Sequence, residues 1–302
     1  MMQILKLLAV LVYVLGMTWA ADWCYKSQVS HNICKGPDEW KDIVPTCGSK
    51  NQSPVNIETK RVVINNLTPF SFQGYQHTFH SVITNNGHTV KVNVSDEAVI
   101  SNAGLVGNYK AVEVHFHWGK NGGPGSEHTI DEEQYPMEMH IVHIKDKYNS
   151  VQEATKDPNG LAVLGFLYQE SDTEDKKYGS IINALNIIKF PGNQTQLDSL
   201  SLAMLIPPLH NLTRYFRYKG SLTTPDCAEV VIWTVFENTI KLSKEQLKTF
   251  SSVWFKNGTA LTETFRPVQP LNDRVIFYSG SHVASVSTAL VISMLIITFY
   301  TV

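Results

Sequence analysis

An excess of either charge is missing from this chain. Its 25 Lys and Arg residues nearly balance 27 Asp and Glu, leaving a formal net charge of −2. That gives no electrostatic reason to expect nucleic acid or strong attraction to an anionic membrane surface. Cysteine is scarce, with four in 302 residues, and no C-x-x-C pair occurs among them, which argues against a thiolate-built zinc site. The helical H-E-x-x-H signature of zinc proteases is absent, as is the G-x-S-x-G turn of serine hydrolases. Between its two ends the chain shows no internal repeat, low-complexity run or linker, so nothing splits it into modules. What it does have is apolar material: 43% hydrophobic against 17% charged residues, ample for a core.

Both ends carry processing signals. Residues 1–20 combine Lys6, an apolar run over 7–15 and the ending Thr18-Trp19-Ala20, the pattern of a secretory signal peptide cut after Ala20. The run is too short and too polar-ended to span a membrane. At the other end, residues 289–302 are apolar and uncharged, preceded by Ser279-Gly280-Ser281 and a mixed spacer. Small residues, spacer and apolar tail form the signal for a glycosylphosphatidylinositol (GPI) anchor. Ser279 is the expected attachment residue and Ser281 the second choice. A single spanning helix over 283–302 is the competing reading, but no Lys or Arg follows to hold a cytoplasmic end. The expected division is a signal peptide at 1–20, one catalytic domain at 21–279 and a removed propeptide at 280–302.

In a secreted chain, Cys24, Cys34, Cys47 and Cys227 suggest two disulfides, with three possible pairings. Joining Cys24 to Cys34 would close a short local loop and leave Cys47 for Cys227. Glycan-acceptor triplets at Asn51, Asn66, Asn93, Asn193, Asn211 and Asn257 agree with that compartment, although Pro54 after Ser53 makes Asn51 a poor acceptor.

Short β-rich segments separated by Gly, Asn, Asp and Pro recur at 89–94, 111–118, 137–144, 161–168 and 230–236. They predict a mainly β (α+β) fold, a single domain on a large, mostly antiparallel twisted sheet with a few surface helices. Ile181, Leu185 and Ile188 mark one helix by their spacing. Ser243 and Gln246 form a capping box for another, with Leu247, Phe250 and Trp254 as its expected buried stripe.

The histidines stand out against this pattern. Glu113-Val114-His115-Phe116-His117-Trp118 and Glu138-Met139-His140-Ile141-Val142-His143 both read as strands. Side chains alternate faces along a strand, so His115 and His117 share a face with Glu113, and His140 shares one with Glu138 and Val142. His143 falls on the other face. Two imidazoles from one strand and a third from its neighbour make a three-nitrogen cap for Zn²⁺. The fourth position stays open, as a catalytic rather than a structural site requires. Taken singly, each of these residues would read as a core histidine.

Further fragments lie in order along the chain: Gln52-Ser53-Pro54-Val55-Asn56-Ile57, Asn85-Asn86-Gly87-His88, Gly125-Ser126-Glu127-His128-Thr129 and Gly220-Ser221-Leu222-Thr223-Thr224-Pro225. With the two histidine segments they resemble the α-class carbonic anhydrases over residues 23–277. The signal peptide, four cysteines and apolar tail look most like the membrane-anchored type IV branch of that class. The resemblance implies reversible hydration of carbon dioxide to bicarbonate and a proton, by hydroxide formed at zinc, at the extracellular face of a membrane. It implies His115, His117 and His140 as zinc ligands. Thr223 would take the hydroxide's proton and hand its own to Glu127, with Thr224 bordering the bicarbonate position. Val142, Val163, Leu222 and Trp233 become the apolar wall for carbon dioxide. His88 becomes the proton shuttle, for which an imidazole pKa of about 6.5 is suited. Glu138 is the implied partner of His140, and the cysteines pair as Cys24–Cys34 and Cys47–Cys227. A monomer is expected, held to the membrane by its GPI anchor, with bicarbonate transporters as candidate partners and no nucleic acid.

Three positions depart from the cytosolic members of that class. Glu113 stands two residues before His115, where Gln is common, and a carboxylate there is expected to push electron density to the imidazole. Lys91 stands at the pocket rim in place of a neutral Asn. Asp226 takes the place of a second Pro, and Cys227 beyond it is expected to pin the Thr223–Thr224 loop through its disulfide. The main rival is a zinc-free binding module of the same fold. Such modules lack one or more ligand histidines, whereas all three are present here with Thr223 and Glu127.

Overall fold

Alternation of side chains sorts most of this chain onto the two faces of one sheet. The computed structural model describes residues 22–29, 34–94, 97–256 and 258–280. The expected leader at 1–20, Ser281 with the tail after it, and the acceptor Asn257 lie outside the described residues. Twelve strands build the main sheet: β1 (Val63–Ile64), β2 (Phe70–Gln73), β3 (Phe79–Asn85), β4 (Val90–Asn93), β5 (Val99–Asn102), β6 (Tyr109–Trp118), β7 (Met137–Lys145), β8 (Leu161–Ser171), β9 (Gln194–Leu200), β10 (Arg214–Gly220), β11 (Val231–Ser243) and β12 (Phe277–Gly280). Their spatial order is β9-β3-β4-β6-β7-β8-β11-β10-β12-β1, with β5 pairing β2 and β6. Among the described residues only β8–β11 and β12–β1 run parallel within it. The architecture is the mixed, mostly antiparallel sheet that the strand pattern predicts.

Period two separates core from site. In β6, Val114, Phe116 and Trp118 enter the larger apolar core, leaving Glu113, His115 and His117 on the opposite face. β7 repeats the division, with Met137, Met139 and Ile141 in that core and Glu138, His140 and Val142 facing away. Residues 137–144 of β7 are buried throughout, because both faces of this central strand are covered. Burial of apolar surface at roughly 25 cal/mol per Å² makes this register expensive to change.

Short helices flank the sheet, and the two longest among the described residues are those expected from the sequence. α1 (Gly179–Leu185) buries Ile181 and Leu185. Ile188 lies past its end, and its N–H still reaches Ala184 O at 3.0 Å. α2 (Lys244–Phe250) begins with the expected reciprocal cap: Ser243 Oγ accepts the Gln246 N–H at 3.3 Å and Gln246 Oε1 accepts the Ser243 N–H at 3.1 Å. Leu247 and Phe250 are buried. Trp254 corrects the expected stripe: the helix stops at Phe250, and Trp254 lies beyond it, 40% exposed. Among the described residues no helix is long and apolar enough to cross a membrane.

Disulfides join Cys24 to Cys34 and Cys47 to Cys227. The second spans 180 residues of sequence and sits in a small cluster with Tyr25 and Trp40.

His143 lies on the core face, away from the other histidines. Its Nε2 is 2.7 Å from the Tyr75 hydroxyl, and its Nδ1 faces the carbonyls of Ile141 and Ala162 at 3.0 and 3.2 Å. This is the pattern of a neutral ring donating from Nδ1 and accepting at Nε2. Burial pushes its pKa down to about 3, against the pull of the two carbonyls. The unfolded chain therefore binds a proton that the folded one refuses, and stability should fall as pH drops from about 6.5 toward 3. Urea titrations of wild type and His143→Gln between pH 7 and 4 check this. The wild-type curve should be steeper by up to one proton, and parallel curves would refute the assignment.

Candidate active site

β6 and β7 run antiparallel with His115 opposite His140 and His117 opposite Glu138. This register brings three ring nitrogens together. His140 Nδ1 lies 3.1 Å from His117 Nε2 and 3.2 Å from His115 Nε2. The outward nitrogen of each ring has a strong acceptor: Glu113 Oε1 at 2.9 Å for His115, the Thr264 carbonyl at 2.6 Å for His117, and Glu138 Oε1 at 2.7 Å for His140. Outward N–H groups leave lone pairs on the inward nitrogens, since a neutral imidazole carries one donor and one acceptor. Burial holds His117 far below the ordinary imidazole range, and the neighbouring imidazoles add to that. It takes His140 down to about 4 against the pull of Glu138. Three convergent lone pairs in a buried pocket repel one another unless a cation sits among them. The donor set therefore fits Zn²⁺, which takes neutral imidazole ligands.

Glu138 organises the surroundings. It is fully buried, and its Oε1 takes hydrogen bonds from His140 and from His128 Nδ1 at 2.7 Å each. Its Oε2 takes the backbone N–H groups of Glu127 and His128 at 2.9 and 2.8 Å. Burial resists this charge, yet His128 and His140 hold the carboxyl well below the usual range. Gly165 on β8 faces the pair. A Cβ there would come within 3.1 Å of Glu138 Oε1 and 3.8 Å of His140 Cδ2, so a larger residue would crowd them. His128, Glu138 and His140 also cluster closely enough to resemble a second metal site, but Glu138 already has a donor in each of four directions.

Glu113 departs from that dry pattern. Its side chain is 25% exposed, and its Oε2 lies 3.5 Å from Lys91 Nζ, which projects from β4 opposite His115. Burial opposes its ionisation, but His115 and then Lys91 outweigh it and lower its pKa.

Glu127 lies behind the triad, its Oε1 accepting the Arg266 N–H at 2.8 Å and its Oε2 3.4 Å from His117 Nε2. Burial raises its pKa well above the carboxylate range, while the Arg266 N–H and the Thr223 hydroxyl pull against it. Thr223 and Thr224 border a cavity of about 260 Å³ together with Glu113, His115, His140, Val142, Val163, Leu222 and Trp233. Val142, Val163, Leu222 and Trp233 give this cavity an apolar side. Trp233 is held by its Nε1–H on Ser221 O at 3.0 Å, and its ring lies 4.7 Å from that of His140.

His88 is not among the side chains lining that cavity. Half-buried, its ring stacks on Trp23 at 3.8 Å, and its N–H is held by Asn86 Oδ1 at 2.9 Å. Ser279 on β12 is buried, with its Oγ accepting the Leu67 N–H at 3.1 Å.

Arg266 and Thr264 escaped the reading from sequence. Besides holding Glu127, Arg266 donates from its guanidinium to Gln52 Oε1, Ser53 O and Cys47 O. It thereby links the acid to the Cys47–Cys227 disulfide, where the Cys227 N–H returns to Thr224 O at 2.8 Å. Residues 261–271 have no regular structure, so no periodicity marks them. Trp23 was equally silent, as a lone aromatic in a two-residue strand.

A three-histidine cluster able to hold a metal ion, beside a partly apolar cavity and on a mixed, mostly antiparallel sheet, has the donor set of a catalytic metal centre. The family model described as eukaryotic-type carbonic anhydrase matches residues 35–280, and the chain belongs to that family. It is 40% identical over 261 residues to carbonic anhydrase 4 of Oryctolagus cuniculus, covering 85% of this chain and 84% of the relative. It is 41% identical over 282 residues to carbonic anhydrase 15 of Mus musculus, covering 88% and 85%. Carbonic anhydrase 6 of Bos taurus is 36% identical over 281 residues, covering 89% of this chain and 85% of its own length. The family is zinc-dependent and supports carbon dioxide hydration.

Removing an outer hydrogen-bond partner of a ligand typically costs about 10–100-fold in metal affinity. Glu113→Ala should therefore lose zinc to dipicolinate at least about tenfold more readily than wild type, with an unchanged circular dichroism spectrum. Equal zinc retention would show that Glu113 does not support His115.

Proposed function

We propose that this protein hydrates carbon dioxide reversibly at the extracellular face of a membrane, with His115, His117 and His140 holding zinc. The observation that carries the reading is the convergence of three neutral-ring nitrogens beside an apolar cavity wall. When bound, Zn²⁺ supplies Lewis acidity that brings the pKa of water to about 7, a figure for which carbonic anhydrase is itself the standard case. The protein supplies orientation. Thr223 donates its hydroxyl proton to Glu127 and so offers only lone pairs to the cavity. A hydroxide held beside it would donate its one hydrogen bond to the Thr223 hydroxyl oxygen, which would turn a hydroxide lone pair toward the wall of Val142, Val163, Leu222 and Trp233. Carbon dioxide carries no charge, so a dry wall suits it better than a cationic clamp, and Thr224 borders the bicarbonate position. Glu127 must be ionised to accept. Burial alone opposes this, and a dication held by the adjacent histidines would favour it. His88 exports the proton, its stacking on Trp23 giving the ring a fixed platform.

Passage through the secretory pathway is supported by the leader pattern, the two disulfides and the exposure of Asn66, Asn93, Asn193 and Asn211. We assign residues 1–20 as the leader, 21–279 as the catalytic domain and 280–302 as the segment lost when a GPI anchor is attached. Ser279 is the attachment residue, with Ser281 as the alternative. The mature protein acts as a monomer with carbon dioxide and bicarbonate as reactants, without nucleic acid, and bicarbonate transporters are its candidate neighbours.

Stopped-flow hydration by the purified protein should disappear on zinc removal and return with zinc. Thr223→Ala should lower kcat/KM about 100-fold. His88→Ala should lower kcat in dilute buffer and recover with added imidazole. Activity surviving complete zinc removal would sink the enzyme reading. Separately, phosphatidylinositol-specific phospholipase C should release the protein from intact cells. Retention after that treatment would favour a spanning helix.

A further inference from the structure

Trp254, exposed where a buried stripe is expected, is part of a larger feature. Its ring packs against Phe190 with centroids 5.4 Å apart, and Phe190 is 56% exposed. Ile187, three residues before Phe190, is 61% exposed. Two large aromatics side by side in solvent are an aggregation liability unless something covers them. The chain itself names the cover. Phe190-Pro191-Gly192-Asn193 forms a tight turn closed by the Asn193 N–H on Phe190 O at 3.0 Å. Gly192 has φ of 84°. Pro followed by a positive-φ Gly is the type II arrangement, which sets the first and fourth residues beside each other. Asn193 Oδ1 accepts the Phe190 N–H at 3.2 Å, so the carboxamide is tied to the backbone of the aromatic residue. Asn193-Gln194-Thr195 is an acceptor triplet.

We infer that Asn193 carries an N-linked glycan whose first N-acetylglucosamine rests on the Phe190–Trp254 pair. Aromatic faces are electron-rich and attract the slightly positive C–H edges of a sugar ring, and the turn sets Asn193 beside Phe190. The turn is itself anchored, by Gly192 N–H on Asn85 O at 2.8 Å and Asn85 N–H on Asn193 O at 3.0 Å. By sequence Asn257 also follows an aromatic by three positions, Trp254 itself, whereas Asn51, Asn66, Asn93 and Asn211 follow Gly48, Val63, Val90 and Pro208; among the described residues Asn193 alone does so. Asn51 is further disfavoured, because its Nδ2 donates to Glu229 and Ser53 is fully buried. A bulky glycan at this turn also keeps a membrane or a second copy off the aromatic pair.

The inference rests on the secretory passage proposed above, and the test separates the two. The full chain is expressed in cultured animal cells, and site occupancy is read by mass spectrometry after peptide N-glycosidase in ¹⁸O water. Asn193 should be occupied in most molecules. Enzymatic removal of the glycan from the folded protein should lower Tm by about 2–4 °C in wild type and by little in Phe190→Ala or Trp254→Ala. Removal leaves Asp at 193, which keeps the acceptor for the Phe190 N–H. An empty Asn193 alongside sugar at another triplet would overturn the inference alone and leave the patch to a membrane or a partner. No sugar anywhere would overturn it together with the compartment. Equal Tm losses in wild type and both variants would show that the sugar does not rest on the aromatics.

Discussion

Glu138 carries a charge where water cannot reach it, and four N–H groups make that possible. Two come from imidazoles, His140 and His128, and two from the backbone at Glu127 and His128. An unpaired carboxylate at such a site would protonate or drag water in. Once paired, it fixes the His140 ring so that its other nitrogen must face the cluster. It also fixes the 127–128 backbone, and with it the Glu127 side chain beside His117. A single buried ion thus sets the direction of one ligand and the position of the acid behind the others. Removing one partner from such a network costs more than the pair contributes, because the remaining group is left charged and dry.

The contrast with Glu113 is one of solvent. Glu138 is sealed, whereas Glu113 reaches the cavity edge and shares its charge with Lys91. Both carboxylates accept from a histidine of the cluster, but Glu113 also faces a cation and Glu138 does not. The third ring of the cluster, His117, has a neutral carbonyl as its partner. The three rings therefore have three different outer partners although they occupy one cluster.

Much of this was legible from residues 109–145, because strand alternation is a rule of backbone geometry and needs no knowledge of neighbours. It sent His115 and His117 to one face and His143 to the other, and it separated Glu138 from the apolar core. The capping box at Ser243 was legible for the same reason, being local. Trp254 was misjudged since helical spacing says nothing about where a helix stops, and α2 ends four residues earlier. Thr264 and Arg266 were invisible. Their roles come from a carbonyl, a backbone N–H and a guanidinium placed by tertiary packing, and no side-chain pattern encodes a carbonyl's address.

The partners of His117 and Glu127 both lie in the irregular segment between α2 and β12, close to the end of the described chain. Synthesis proceeds from the N-terminus, so every histidine of the cluster leaves the ribosome well before Thr264 and Arg266 do. The ring of His117 and the carboxylate of Glu127 thus take their final orientation from residues made far later than they are.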